Sequence, residues 1–363
     1  MAKTSTLIFL MAVFLSGCTS LGYYSQAVGG HMEVMRASRP IADIIKDETT
    51  DPALRQKLEE VRIVRDFASR ELGLPDNDSY RSYADLQRPF VTWNVFAAPE
   101  FSLQTENWCM LVVGCVGYRG FYDQRDAELF ASELRERGFD TYVGGIPAYS
   151  TLGYFSDPVL NTFLRSGSLE VARLIFHELA HQILYVEDDT VFNESFATAV
   201  ENEGLRRWLA SKASIDGGRS LTAQHQRKVA FFELVTSYHE RLQEVYASDQ
   251  SDAAKRLAKT EIMTDLKTTY LHQQKEQGAP PVYSHWLEHD LNNAKLASLG
   301  LYTQLLPTFE AVLEAERYDL PQFYRRVAML GELPYSKRKA ALSELQPHPA
   351  APSSNLAAHI GAW

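Results

Sequence analysis

The stretch Phe176-His177-Glu178-Leu179-Ala180-His181-Gln182 lies inside Leu169–Val186, an apolar segment typical of a buried helix. Two histidines four residues apart share one helix face, so each imidazole can give one nitrogen to the same metal ion. Glu178 would stand beside that ion as a carboxylate that accepts a proton from water. Burying these side chains without a partner is costly, so a metal site explains them better than hydrogen-bonded core histidines do. The stretch therefore predicts a metal centre on a buried helix.

A catalytic zinc site also needs a third protein ligand and an open position for water. Glu194 lies on the first turn of a second predicted helix, with twelve residues between it and His181. Such a short connection folds the second helix back against the first and brings Glu194 near His181. Glu194 is therefore the predicted third ligand, ahead of the other nearby acidic residues, which are Glu187, Asp188, Asp189, Glu201 and Glu203.

Asn193 and Glu201 are candidates for hydrogen bonds that orient the ligand side chains. Glu201 lies two helical turns beyond Glu194 on the same face. For Glu201, a solvated helix carboxylate is an equally good interpretation.

Beyond these residues, the chain resembles known metallopeptidases. His177-Glu178-x-x-His181 with a downstream glutamate resembles the gluzincin group, and Glu194-Ser195-Phe196-Ala197 is similar to the zinc-glutamate run of the lethal-factor relatives. Roughly residues 18–330 resemble a family of bacterial lipoproteins described as putative aminopeptidases. The matching runs include Leu21-Gly22-Tyr23-Tyr24-Ser25-Gln26-Ala27, Glu71-Leu72-Gly73-Leu74-Pro75, Cys115-Val116-Gly117-Tyr118-Arg119-Gly120, the segment 144–153, Phe192-Asn193-Glu194-Ser195-Phe196-Ala197 and Asp290-Leu291-Asn292-Asn293-Ala294. The resemblance implies a zincin fold, a Zn²⁺ cofactor and hydrolysis of peptide or protein substrates.

The predicted reaction uses zinc held by His177, His181 and Glu194, with Glu178 as general base and then general acid. A hydrogen-bond donor is also needed for the developing oxyanion. Tyr149 is the candidate donor. In zincins, which this chain resembles, an edge strand lines the cleft and pairs with extended substrate, and residues 140–151 could be that strand. Tyr154 and Tyr185 compete for this role, and an ordinary loop tyrosine is the alternative for Tyr149.

The N-terminal segment has the pattern of an export signal. Lys3 precedes a short apolar run at 7–15, which is too short to span a bilayer as a helix. Leu15-Ser16-Gly17-Cys18 resembles a bacterial lipobox, in which the cysteine is lipidated and becomes the mature N-terminus. A plain secretory signal is the alternative. Lipidation predicts a membrane anchor, and Thr19-Ser20 after the cysteine predicts the outer membrane, facing the periplasm, if the host is Gram-negative.

Export also places Cys109 and Cys115 in an oxidising compartment, where a disulfide between them is predicted and two buried free thiols are the alternative.

The 363-residue chain has 36 Lys+Arg against 46 Asp+Glu, a formal net charge of −10. Nucleic-acid binding is not expected, because phosphate contacts need clustered cations.

The order of predicted elements indicates an α+β fold, zincin-like, with a small sheet and a largely helical C-terminal half. A helix at 124–138 between strands at 116–122 and 140–147 suggests one βαβ-like unit. Further helices are predicted at 52–73 and near 168–187, 193–213, 222–248, 252–275, 283–302, 308–317 and 335–344. The predicted divisions are a signal peptide at 1–17, a lipidated tether at 18–35, a zincin-like metallopeptidase domain at 36–345 and a flexible tail at 346–363.

Three functions are compatible with these residues. The first is a lipid-anchored zinc peptidase, and the second is a non-catalytic envelope protein with a structural zinc site. A structural site normally closes its fourth position with Cys or His and has no use for a base such as Glu178, which favours the first. The third is a zinc amide hydrolase acting on cell-wall material, which the histidine motif alone does not separate from a peptidase.

Overall fold

The computed structural model describes residues 22–110, 114–212, 217–278, 280–288 and 291–346. Small sheets combine with a predominance of helix, which confirms the α+β class. The predicted signal peptide, Cys18 and the tail beyond residue 346 lie outside these residues. Within the described part of the chain, no helix is both long and apolar enough to cross a membrane.

The N-terminal part differs from the tether predicted at 18–35. Residues 22–37 form helix α1, in which Val34 is fully buried in the main core. The Gln26 amide oxygen accepts a hydrogen bond from Tyr122 N at 2.9 Å, and the Arg119 guanidinium lies 4.3 Å from the Tyr23 ring centroid. These contacts hold α1 against the rest of the protein, so the described part of this segment is packed structure. Strand β1 (Arg39–Pro40), helix α2 (Ile41–Lys46) and helix α3 (Pro52–Leu72) follow.

A three-stranded antiparallel arrangement lies beside this region, with β3 (Thr92–Ala98) between β6 (Arg119–Phe121) and β7 (Asp140–Ile146). Asn94 of the central strand is opposite Gly120 on one side and Gly144 on the other. β6 and β7 are both antiparallel to β3, so they run parallel to each other, and helix α4 (Gln124–Glu136) connects them. This is the βαβ-like connection that the sequence predicts, with a third strand inserted between the parallel pair.

Two smaller sheets complete the strands. The first has the order β1-β2-β8, with β2 at Ser82–Ala84 and β8 at Val159–Leu160, and the second is the hairpin of β4 (Trp108–Met110) and β5 (Gly114–Val116).

Helices account for most of the chain after residue 160. They are α5 (Asn161–Leu164), α6 (Ser168–Ile183), α7 (Thr190–Lys212), α8 (Gly217–Ala247), α9 (Asp252–Glu276), α10 (Ser284–Glu288), α11 (Asn293–Thr303), α12 (Leu306–Ala315), α13 (Leu320–Gly331) and α14 (Tyr335–Leu345). The helix predicted near 283–302 is thus two helices. Asn292 caps the second of them by accepting from Lys295 N at 3.0 Å, and its side-chain amide donates to Thr141 O of β7. Helix α13 was not predicted, although Asp319 caps it and a proline occupies its first turn.

Helix α6 runs through the largest hydrophobic core, with apolar side chains buried on all sides. Helix α6 packs against α7 and α3. Side chains of α6 and α7 contact each other in antiparallel order, because residues 173 and 177 contact residue 201 and residue 181 contacts residue 194. The core therefore holds rigidly the two helices that carry the predicted metal ligands.

Candidate metal centre

The connection between α6 and α7 is fixed by Asn193. Its side-chain oxygen accepts from Val186 N, and its side-chain nitrogen donates to Val186 O, both at 2.7 Å. Asn193 was predicted to orient a ligand side chain. It instead clamps the backbone of the turn, because an amide offers one acceptor and one donor that match a peptide unit. Glu194, the next residue, is thereby placed beside the last turn of α6.

The three predicted ligands converge. The His177 Nε2 atom lies 3.2 Å from Glu194 Oε2, and the His181 Nε2 atom lies 3.8 Å from the same oxygen. One ligand atom from each of these residues lies within 4.8 Å of the others, and both histidines are buried. Ligands about 2.1 Å from a tetrahedral zinc ion are about 3.4 Å from each other. The residues therefore fit a metal ion bound by two imidazoles and one carboxylate.

Glu201 lies behind His177. Its Oε2 atom is 3.1 Å from His177 Nδ1, and the other ring nitrogen of that histidine, Nε2, faces Glu194. Glu201 is 2% exposed, which excludes the alternative of a solvated helix carboxylate. Arg173 Nη1 lies 3.2 Å from Oε2 and Lys228 Nζ lies 2.8 Å from Oε1. Sequence reasoning missed both cations. Lys228 reaches this carboxylate only through the tertiary packing of α8, whereas the available signal for Arg173 was its position one helical turn before His177 on α6.

The electrostatics of the cluster favour a bound cation. Burial would lower the pKa of His177, but hydrogen bonds to Glu194 and Glu201 outweigh burial and raise the pKa to about 10. Burial lowers the pKa of His181 to about 4, so this imidazole is neutral. The two carboxylates thus draw a positive charge onto His177, and a metal ion would supply that charge in its place. The His181 Nδ1 atom is buried without a hydrogen-bond partner among the described residues.

Glu178 is buried beside the ligands, 9% exposed. Burial raises the pKa of its carboxyl to about 7, and the charges of Glu194 and Asp157 act in the same direction. The charge of Glu178 in turn contributes to raising the pKa of the fully buried Tyr80. Tyr80 and Asp157 are therefore buried polar residues close to Glu178 that the sequence did not single out.

The structure distinguishes the three tyrosines considered as oxyanion donors. The Tyr149 hydroxyl lies 2.8 Å from His31 Nδ1, and its ring packs on Tyr122, so its described contacts lead to α1 and not to the metal ligands. Tyr154 is 73% exposed. The Tyr185 ring centroid lies 6.4 Å from that of His181.

A further tyrosine near the ligands was missed. Burial raises the pKa of Tyr118 well above its usual value, with additional contributions from Glu194, Tyr185 and Glu178. Tyr118 stands in Val116-Gly117-Tyr118-Arg119-Gly120, one of the runs that carry the family resemblance, which was the available signal.

The predicted disulfide is present and supports the turn after α6. Cys109 and Cys115 are bonded across the β4–β5 hairpin. Cys115 N donates to Asp188 Oδ1 at 2.6 Å. Gly114 has φ +72°, and a Cβ atom there would lie 2.5 Å from Asp188 Oδ1, so glycine permits the approach. The hairpin therefore fixes the α6–α7 connection from outside.

An open cavity of about 370 Å³ lies beside the segment that follows His181. Its lining includes Asn77 and Ser79, whose side chains hydrogen bond to Gln182 at 2.7 and 3.2 Å. Phe155, half exposed, borders the cavity from the 147–158 loop. Gln182, the residue after His181 on α6, therefore links the wall of this cavity to the helix that carries the two histidines.

The α+β fold and a buried cluster of two histidines and a glutamate define a protein with a candidate metal centre. A comparison of the sequence with known protein families identifies the family. Residues 22–342 match the family described as "Putative aminopeptidase", and the chain belongs to this family. The match runs from the start of α1 into α14 and contains every residue of the cluster. No curated protein and no solved structure matches the chain.

Proposed function

We propose that this protein hydrolyses peptide bonds with a zinc ion held by His177, His181 and Glu194. The observation that carries the proposal is the convergence of these ligand atoms within 4.8 Å beside the buried Glu178. Membership of an aminopeptidase family supports peptides as the substrate. Two imidazoles and one carboxylate are a ligand set typical of catalytic zinc, which keeps one position open.

A zinc ion held by His177, His181 and Glu194 would supply Lewis-acid chemistry for the attacking water and the scissile carbonyl. Glu178 accepts the proton of the attacking water and returns it to the leaving amine. Glu201 accepts the hydrogen bond from His177 Nδ1 and thereby holds the imidazole in the tautomer and orientation that present Nε2 to the metal.

Tyr185 is the proposed donor to the developing oxyanion. Its ring centroid lies 6.4 Å from that of the ligand His181, and Tyr185 stands just beyond the C-terminal end of α6, whereas the described hydrogen bond of the Tyr149 hydroxyl is with His31. Tyr118 is the second candidate, because the charges of Glu194 and Glu178 both act on its hydroxyl. A Tyr185→Phe variant with unchanged zinc content and a lowered kcat would distinguish a donor from a structural role.

Two alternatives make different use of the same cluster. A structural zinc site would leave Glu178 without a role, although burying a carboxylate there costs stability. An amide hydrolase for cell-wall material would use Glu178 in the same way and differ only in substrate. The substrate that is cleaved therefore separates a peptidase from a cell-wall amide hydrolase. The activity of the Glu178 variant separates both enzymes from a structural zinc site.

The test compares the unmutated protein with Glu178→Gln and with Glu128→Gln, a change at an exposed position on α4. We expect equal zinc in all three, and a loss of about two to four orders of magnitude in kcat/KM for Glu178→Gln alone. The substrates are amino-acid amides, internally quenched peptides and cell-wall amides. Preference for the first would establish an aminopeptidase. Absence of zinc from the unmutated protein, or full activity of Glu178→Gln, would refute the proposal.

A further inference from the structure

A second cavity borders Arg173 and Lys228, the two cations that pair with Glu201. It has a volume of about 230 Å³, and its lining includes Arg173 of α6, Arg227 and Lys228 of α8, and Tyr283. Its volume is many times what a single water needs, so it has room for a small hydrated ion. Val282 on its border is exposed, which opens the cavity to solvent.

The charges around this cavity are not balanced. Arg173 pairs with Glu170 at 2.7 Å and with Glu201 at 3.2 Å, and Lys228 pairs with Glu201 at 2.8 Å. Three cations thus face two carboxylates. Burial together with the charge of Arg173 lowers the pKa of Lys228, as expected for crowded positive groups.

Arg227 is the cation left over. Its Nε atom is buried and has no hydrogen-bond partner among the described residues. An unsatisfied buried donor of a permanently charged group is costly, and a guanidinium presents a planar fork that matches an oxyanion. Nothing in the proposed hydrolysis uses Arg227.

We propose that this cavity binds a small oxyanion between Arg227 and Lys228, a site separate from the metal centre. The shared chemistry is that of a carboxylate or a tetrahedral phosphate or sulfate. The ligand binds the Arg227 guanidinium where this side chain borders the cavity, and it shares Lys228 with Glu201. Val282 and Tyr283 at the rim suit a carboxylate that carries an apolar group.

The test measures binding of sodium sulfate and sodium acetate to the mature protein by calorimetry, at constant ionic strength against chloride. We expect saturable binding of one anion per chain by at least one of the two probes. The preferred probe distinguishes a tetrahedral from a carboxylate ligand. Binding requires no turnover, so it is measured equally well if the protein proves not to be a peptidase.

Three variants of α8 make the test specific. Arg227→Gln should weaken anion binding at least tenfold, whereas Arg241→Gln should leave it unchanged, because Arg241 is paired with Asp265 on the exposed side of the helix. Arg227→Lys, which keeps the charge and loses the fork, should give an intermediate affinity and guards against a folding defect. Equal binding by all four proteins, or no saturable binding of either anion, would overturn the proposal.

Discussion

Glu201 illustrates how much a single buried residue contributes at this site. Its Oε2 atom accepts from His177 and Arg173 and its Oε1 atom accepts from Lys228, so its negative charge is fully compensated inside the protein. Removal of a hydrogen-bond partner of a metal-bound histidine typically costs one to two orders of magnitude in metal affinity.

Glu201→Gln should therefore lower zinc affinity by about 10- to 100-fold, because the amide is neutral and orients His177 less strongly. The measurement is competition against a chelator of known affinity. Glu203→Gln is the matched control: it changes a buried carboxylate on the same helix that pairs with Arg206 and Arg207 instead. Equal zinc affinity in the two variants would contradict the orienting role of Glu201.

The buried carboxyl of Asp157 predicts that the stability of the protein depends on pH. Burial raises the pKa of its carboxyl from 3.8 to about 6, although Thr151 donates two hydrogen bonds to Oδ2. The folded state thus holds the proton more tightly than the unfolded chain. This contribution to stability is fully present below about pH 4 and is lost as the pH rises through 6.

Asp157→Asn is neutral at every pH and lacks this dependence. Relative to it, the unmutated protein should lose up to about 3 kcal/mol of unfolding free energy between pH 4 and pH 7. Urea titrations at the two pH values measure this difference. Asp78→Asn, a change at an exposed position, is the matched control. A constant difference for Asp157→Asn would mean that its carboxyl titrates normally in the folded state.

At the scale of elements, the site depends on how closely α7 approaches α6 and α3. Gly204 of α7 lies at this contact, where a Cβ atom would be 2.8 Å from both Leu72 of α3 and Phe176 of α6. Phe176 is adjacent to His177 in the chain, so a shift at this contact reaches the metal ligands directly.

Gly204→Ala should destabilise the protein by about 1–3 kcal/mol, because overpacking outweighs the gain of about 1 kcal/mol in helix propensity. It should also weaken zinc binding. Gly29→Ala is the matched control, since Gly29 is also helical and a Cβ atom there would meet no described atom within 4 Å; this change should be neutral or slightly stabilising. Thermal unfolding with and without zinc measures both effects. Unchanged thermal stability of the Gly204→Ala variant would contradict this prediction. It would mean that α7 can move away from α3 and α6 without loss of stability.

At the scale of the whole molecule, several distant segments meet around one pair of helices. The disulfide hairpin contacts the α6–α7 turn, the 76–79 turn contacts Gln182, and α8 supplies Lys228 behind Glu201. The predicted lipid anchor at Cys18 would hold this assembly at a membrane surface, a short distance in sequence from α1.

Cys18→Ser should release the protein from the membrane fraction, because each buried CH₂ of the lost acyl chains contributes about 0.8 kcal/mol to anchoring. Fractionation of cells that express each form, followed by detection of the protein, measures the effect. Ser20→Ala should remain in the membrane fraction. Membrane retention of the Cys18→Ser protein would reject the lipoprotein prediction.

The sequence was sufficient where the signal is local. The periodicity of α6, the histidine spacing and the glutamate on the next helix predicted three residues that the fold brings together. The cysteines that enclose five residues predicted the disulfide. Such features depend on helix geometry or on short chain segments, which the sequence encodes directly.

Only the tertiary structure decided the surroundings of these residues. Arg173 and Lys228 meet at Glu201, Tyr149 contacts α1 instead of the ligands, and residues from 22 onward form a packed helix where a tether was predicted. Each of these outcomes depends on side chains separated by tens of residues. Their partners are chosen by packing and burial of the whole core, which no local pattern in this sequence records.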